Sequence, residues 1–463
     1  MQINPHIFRT YDIRGLNEKD LNIEKMKSIG MAFGAILKQH DQSHCIVGRD
    51  ARITSPEFSK AVIESLNVSG INVLNIGLVS SPVFYFSAFN LNCGNGMMIT
   101  ASHNPKEFNG CKIVFDFHPF YGDDLQKLRG IIENDNFFLP NNPNVSNQDM
   151  DIYDSYIENV LKNVKIGSKK LKMIVDYGNG VGSVVGKKLY EKIGAEVINL
   201  YEEPDGNFPN HIADPTVPKN LEKLIETVKN ENADFGIAFD GDADRIGLVT
   251  EKGEIMYGDQ ILTILARQTL AEMPGAKVIT EVKASQAVTD DILAHGGNPI
   301  IWKTGHSLIK VKMKEEEALL AGEMSGHIFF ADRENKGYDD ATYAGARIYE
   351  ILSNSDQKLS EILSTIPKYF STPELRLECD ESKKTETVEK IVASFKEKYN
   401  VLDIDGARVI FDNGWCLVRQ SNTEPVLIAR AEGKTPEDLE EIKKILKEEL
   451  LKYPEVKLED KLD

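Results

Sequence analysis

Three times along this chain a short apolar run stops abruptly in a cluster of polar, reactive side chains. Met97-Met98-Ile99 runs into Thr100-Ala101-Ser102-His103-Asn104-Pro105, Gly236-Ile237-Ala238-Phe239 into Asp240-Gly241-Asp242-Ala243-Asp244-Arg245, and Ala318-Leu319-Leu320-Ala321-Gly322 into Glu323-Met324-Ser325-Gly326-His327. Each follows its own stretch of alternating strand and helix patterns. In the first, residues 22–38 carry apolar side chains at helical spacing, Cys45-Ile46-Val47-Gly48 reads as a buried strand, Pro56 to Val68 as a helix and Val73-Leu74-Asn75-Ile76 as a strand. Residues 172–176, 183–193 and 196–200 repeat the pattern, as do residues 277–280, a helix from Ser285 and residues 299–302. Strand–helix alternation implies a largely parallel sheet, with ligands at the carboxyl ends of its strands. The recurrence predicts three related α/β units whose polar loops converge on one cleft.

A chain of 463 residues exceeds the size at which single cores stop growing, roughly 250–300 residues. The Asn-rich run at 139–148 marks the first expected boundary, giving units at 1–148, 149–252 and 253–368. From 369 to 463 the pattern changes to a helix at 383–399, strands at 407–410, 415–418 and 426–429, and a charged helix from Pro436 to Leu451, a smaller α+β domain.

A formal net charge of −18 argues against general nucleic-acid binding, since phosphate backbones attract the opposite sign. Five scattered cysteines without a C-x-x-C pair fit reduced thiols in a cytoplasmic protein. The start, Met1-Gln2-Ile3-Asn4-Pro5, lacks the build of a signal peptide, and no apolar run is long enough to span a bilayer. No membrane partner is expected.

In extended backbone, residues i, i+2 and i+4 face one way, so Asp240, Asp242 and Asp244 would present three carboxylates together. Hard oxygen ligands suit Mg²⁺, Mn²⁺ or Ca²⁺, and three adjacent carboxylates repel one another without a cation. With Glu251 they also fit positions 1, 3, 5 and 12 of a calcium-binding loop, but Arg245 stands where that loop turns on Gly and the flanks read as strands. A solvated acidic turn is the plainer alternative. The glycines of Asp176-Tyr177-Gly178-Asn179-Gly180-Val181-Gly182 partly match a dinucleotide-binding turn, which a tight strand–helix connection explains equally well. Arg419-Gln420-Ser421-Asn422-Thr423-Glu424-Pro425, between two strand patterns and followed by Arg430, offers the donors a dianionic phosphate needs; a polar hairpin is the alternative. Glu323 and Ser325 pair a carboxylate with a hydroxyl for sugar hydroxyls, and His327 suits proton transfer or phosphate binding. Ser102, alone, reads more readily as a turn or helix-cap serine.

Together the loops resemble the α-D-phosphohexomutase family, in its bacterial phosphomannomutase/phosphoglucomutase branch. The matching stretches are Phe8-Arg9-Thr10-Tyr11-Asp12-Ile13-Arg14-Gly15, Val47-Gly48-Arg49-Asp50, the loop at 100–105, Asn109-Gly110-Cys111-Lys112, the loop at 240–245, Lys303-Thr304-Gly305-His306-Ser307, and the loops at 322–327 and 419–425. Cys111 replaces a more usual aromatic. The resemblance implies an isomerase with three mixed-sheet α/β domains and a C-terminal domain of TATA-binding-protein-like fold. Ser102 would be a phosphoserine and, with Asp240, Asp242 and Asp244, hold one Mg²⁺. Arg245 and Lys112 would flank the transferring phosphoryl group. Arg14, Lys112 and His327 become acid–base candidates, and Tyr11 and His306 substrate contacts. Glu323 and Ser325 would bind the sugar 3- and 4-hydroxyls, and Arg419, Ser421, Asn422 and Thr423 the non-reacting phosphate. The implied activity interconverts hexose 1- and 6-phosphates of mannose or glucose through glucose 1,6-bisphosphate or its mannose counterpart, in a monomer or homodimer. Met324 between Glu323 and Ser325 favours this over a phosphoglucosamine mutase; a Mg²⁺-dependent sugar-phosphate phosphatase and a non-catalytic calcium or sugar-phosphate sensor are the other readings.

Overall fold

The computed structural model describes residues 3–421, 426–458 and 462. The first three sheets share one strand order. A parallel pair, His44–Arg49 beside Asn72–Leu78, is extended by a hairpin of Gly96–Ile99 and Phe108–Phe115. In the second sheet the pair Lys172–Asp176 and Glu196–Leu200 is extended by the hairpin Phe235–Phe239 and Ile246–Thr250. The third pairs Lys277–Glu281 with Asn298–Trp302 and adds the hairpin Leu320–Gly322 and Ile328–Phe330. Each reactive loop is therefore the turn of a hairpin. The sheets are mixed rather than largely parallel, because the strand after each loop returns antiparallel.

Packing explains why the strands read as apolar runs. Phe235–Phe239, Ile246–Thr250 and Gly96–Ile99 are buried along their whole lengths, as strands covered on both faces must be. A single apolar cluster reaches from Ile46 and Phe84 through Val175 and Phe239 to Leu262, Leu320 and Ile366, so the three units share a core. Helix ends carry local stop signals: Asn22 accepts from the Lys25 amide at 3.0 Å to start Ile23–Gln39, and Thr435 with Asp438 forms a capping box on Pro436–Leu450.

Boundaries differ slightly from the expected ones. Asn147–Asp149 pairs with Asn72–Leu78, so the first sheet crosses residue 148, and Ile255–Met256 belongs to the second sheet. Low apolar content in 139–148 hid an edge strand, which needs backbone pairing rather than buried side chains.

The C-terminal sheet is antiparallel. Along Gly414–Gln420 the side chains alternate. Cys416 and Val418 join Ile391, Ile442 and Leu446 of the two covering helices, whereas Trp415 and Leu417 meet Val282 of the third unit. Arg408 lies over Trp415, 3.9 Å from its centroid, and donates to the Ala284 carbonyl at 3.0 Å. One face thus builds the domain and the other attaches it.

Asp340 caps Ala341–Ser353 through the Tyr343 amide at 2.8 Å and accepts the Tyr156 hydroxyl at 2.9 Å. Burial pushes its carboxyl up from 3.8 to about 7. A carboxyl raised on folding adds stability that is complete below its unfolded value and lost as pH rises through about 7. Wild type should lose roughly 4 kcal/mol from this group between pH 4 and 8. Asp340→Asn keeps the cap and should flatten that slope in urea titrations across the range.

Candidate active site

The loop at 100–105 meets the loop at 240–245 below a cleft of about 1160 Å³. Ser102 adopts φ 49°, a left-handed conformation disfavoured for a side chain, and its Oγ donates to Asp240 Oδ2 at 2.6 Å. Gly241 is required there, since a Cβ would lie 2.6 Å from the Ser102 carbonyl oxygen.

The acidic loop is a turn, not extended backbone: the strand ends at Phe239 and Ala243 has φ 56°. Convergence of Asp240, Asp242 and Asp244 comes from that turn, correcting the alternation argument. Their ligand atoms lie within 4.8 Å of one another, and all three residues are fully buried. Burial, then Asp244 and Asp242, push the Asp240 carboxyl well above its usual range. Burial also opposes ionisation of Asp242, but Lys112 at 2.7 Å holds it low, and Ser81 Oγ donates to it at 2.6 Å. Asp242 Oδ1 and Asp244 Oδ1 are buried and make no hydrogen bond. Three hard oxygens, two lacking donors and one driven to hold a proton by its neighbours, fit a divalent cation.

Lys112 lies opposite Met98 in the first hairpin and contacts both Asp242 and Asp244. Burial disfavours its charge, but the two carboxylates outweigh burial and hold the proton well above the ordinary lysine value. It is an ammonium here, suited to steadying charge before accepting a proton.

At the cleft wall, Arg245 Nε donates to His327 Nε2 at 3.0 Å, and His327 Nδ1 stands 2.8 Å from Asp339 Oδ2. This network selects the tautomer with hydrogen on Nδ1. His306 stacks on His327 at 5.5 Å, and Tyr11 meets His306 edge-on at 5.8 Å. Gly305, at φ 134°, leaves room for the Tyr11 ring and donates to Glu323 Oε1 at 2.7 Å. Arg14 bonds Asn104 and Asp12 and, with Ser325 and Ser421, lines the cleft. Arg419 lines it too, its Nε 3.0 Å from Asp405. Asn422 and Thr423 lie outside the described residues.

Several residues escaped sequence reading. Arg52, 1% exposed, donates to the carbonyls of Ser102 at 2.7 Å, Asn104 at 2.6 Å, Pro105 at 2.8 Å and Phe108 at 2.9 Å, tying down the serine loop. Glu281 accepts from the Met324 amide at 3.1 Å and from Thr304 Oγ1, joining the sugar loop to the His306 loop. Asp339 braces His327 and is itself paired with Lys310 at 2.6 Å. None sits in a motif; only Arg52, near Arg49-Asp50, lay close to one. Two rival readings find no support. Glu251 bonds Ser360 instead of joining the aspartates, and the glycine-rich turn 177–182 braces the acidic loop through Val181 N to Gly241 O at 3.1 Å. The Cys111 thiol is fully buried and pushed well up by burial, so it offers no reactive group to the cleft.

Models of the phosphoglucomutase/phosphomannomutase family match throughout: α/β/α domain I at 5–138, II at 154–253, III at 257–369 and the C-terminal domain at 374–449. The chain belongs to this family. A phosphomannomutase/phosphoglucomutase of Pseudomonas putida is 42% identical over 98% of this chain and 97% of its own. A phosphoglucomutase of Neisseria gonorrhoeae is 43% identical over 95% of each. The crystal structure of a phosphoglucomutase/phosphomannomutase family protein from Burkholderia thailandensis superposes with a TM-score of 0.91 at 37% identity, covering 97% of this chain and 98% of that one. As in any member of this family built on four domains, loops from separate domains must be held in register, and here Arg52 is the staple for one. Arg52→Met strands four buried carbonyls and should cost about 2–4 kcal/mol in urea unfolding, with faster hydrogen exchange across 100–108.

Proposed function

We propose that the protein interconverts the 1- and 6-phosphates of mannose and glucose through a phosphoserine at Ser102 and a hexose 1,6-bisphosphate. The observation carrying this reading is Ser102 Oγ at 2.6 Å from Asp240, with Lys112 inserted between Asp242 and Asp244, beneath a cleft large enough for a hexose bisphosphate. The relatives named phosphomannomutase/phosphoglucomutase support the substrate class.

Asp240, Asp242, Asp244 and a phosphate oxygen on Ser102 would hold one Mg²⁺, whose charge would stabilise the transferring phosphoryl group. In the first half-reaction the bond from phosphorus to Ser102 Oγ breaks and one to the sugar hydroxyl forms. Lys112 and Arg245 offset the charge on the phosphoryl oxygens, which is where most catalysis of phosphoryl transfer lies. The hydroxyl proton goes to a base at the cleft wall: His327 Nε2, once Arg245 turns toward phosphate, is our candidate. The departing Ser102 oxygen takes a proton from the Lys112 ammonium, with Arg14 orienting that oxygen, and the second half-reaction returns both protons. Glu323 and Ser325 take the sugar hydroxyls, and Tyr11 and His306 pack the ring. Arg419 and Ser421, with Asn422 and Thr423, grip the phosphate that is not reacting. The bisphosphate then turns round and returns its other phosphate to Ser102, so a single grip must accept either end. Glucose 1,6-bisphosphate would prime unphosphorylated enzyme. The C-terminal domain would close over the substrate as a lid. Four units, the first reaching past Asp149, the second past Met256 and the fourth starting near residue 369, a monomeric or homodimeric state and a cytoplasmic location complete the reading; no helix among the described residues is long and apolar enough to cross a membrane.

Ser102→Ala should abolish mutase turnover on mannose 1-phosphate and glucose 1-phosphate and remove one phosphate from the intact mass. Retained turnover would refute the reading, and steady phosphate release without isomerisation would favour a phosphatase. Asp339→Asn, leaving Ser102 and the acidic loop intact, should lower kcat about tenfold or more with KM little changed, read by steady-state assay.

A further inference from the structure

Between the first and third units, away from the cleft, lies a second cavity of about 490 Å³. Its wall is aromatic. Phe89 stacks on Phe117 at 5.2 Å and on Tyr338 at 6.3 Å, and Tyr85 stands 6.0 Å from Tyr338. These rings come from the helix Ser81–Asn90, the turn after Phe108–Phe115 and the strand Tyr338–Asp339. Val114, Met313, Ala318 and Ala331 add apolar surface. The space opens to solvent at its rim, and its volume falls within the range of small-molecule pockets, about 300–1,000 Å³.

Lys310, under the Tyr85 ring at 3.7 Å, is already matched by Asp339. Lys314, bonded to His118 Nε2 at 3.0 Å, and Lys336 are exposed at the rim, with Glu317 on the lining and Glu334 beside Lys336. Burial and Lys314 hold His118 below the ordinary histidine value, so it adds no cation at neutral pH.

We propose that this cavity is a binding site for a planar aromatic carboxylate or sulfonate, with its rings against Phe89 and Tyr338 and its anion between Lys314 and Lys336. The edges of the stacked rings, with Val114, Met313 and Ala318, supply the apolar contact and the lysines select the charge. The site adjoins the reaction centre: Lys310 lies one turn after His306 on the helix His306–Glu316, and Asp339 reaches from Lys310 to His327.

The test is a fluorescence titration of the full chain with 2-naphthoate at low salt, alongside uncharged 2-naphthylmethanol. One saturable site is expected for both compounds. Lys336→Glu, on an exposed side chain, should weaken 2-naphthoate about tenfold and leave 2-naphthylmethanol unchanged, because only the first loses a charge partner. Ala331→Phe, which fills the cavity, should remove both. Absence of saturable binding, or binding that neither substitution changes, would overturn the proposal.

Discussion

Everything at this centre depends on how one buried ammonium answers three buried carboxylates. Asp240, Asp242 and Asp244 are all inaccessible, and Lys112 reaches two of them, Asp242 and Asp244, from a different sheet. Without that contact, and without a cation, two charged carboxylates would share a dry space, which electrostatics forbids at an acceptable cost. The pairing links folding to chemistry: the same ammonium that makes the acidic turn tolerable also faces the place where phosphate charge must be carried. It also joins the first unit to the second, together with Ser81 and Ser102, both of which donate to the acidic loop.

Repetition places the remaining groups. Each of three units extends a parallel pair with a hairpin, and each hairpin turn projects from the same end of its sheet, so serine, acid and sugar loops arrive together. The fourth domain brings Arg419 and Ser421 to the cleft at the end of its strand Gly414–Gln420, from a sheet attached through Trp415 and Arg408. Elements that pack rigidly fix the loops, while the cleft between them stays open.

The reactive loops were legible because their chemistry is compressed into consecutive residues: an apolar strand, then Ser102 or three aspartates. Helices and strands carried by strong periodicity were equally plain, as in 183–193 against the observed Ser183–Lys192. Through-space partners were not. Arg52, Glu281, Lys310 and Asp339 sit alone in the chain, and each gains meaning only from a contact distant in sequence, such as Arg52 with Ser102, 50 residues away, or Asp339 with Lys310. The mode of convergence in the acidic loop also escaped, since a residue at φ 56° such as Ala243 carries no compositional mark. Edge strands such as Asn147–Asp149, polar and fully exposed, leave no hydrophobic trace.

The central claim is that Ser102 carries phosphate between turnovers. Incubating the protein with glucose 1,6-bisphosphate and Mg²⁺, quenching, and locating phosphate by tandem mass spectrometry tests it most directly. The account predicts a single phosphorylated residue, Ser102, whose occupancy falls when excess glucose 6-phosphate is added. Phosphate on another residue, or none while hexose 1- and 6-phosphates still interconvert, would contradict it.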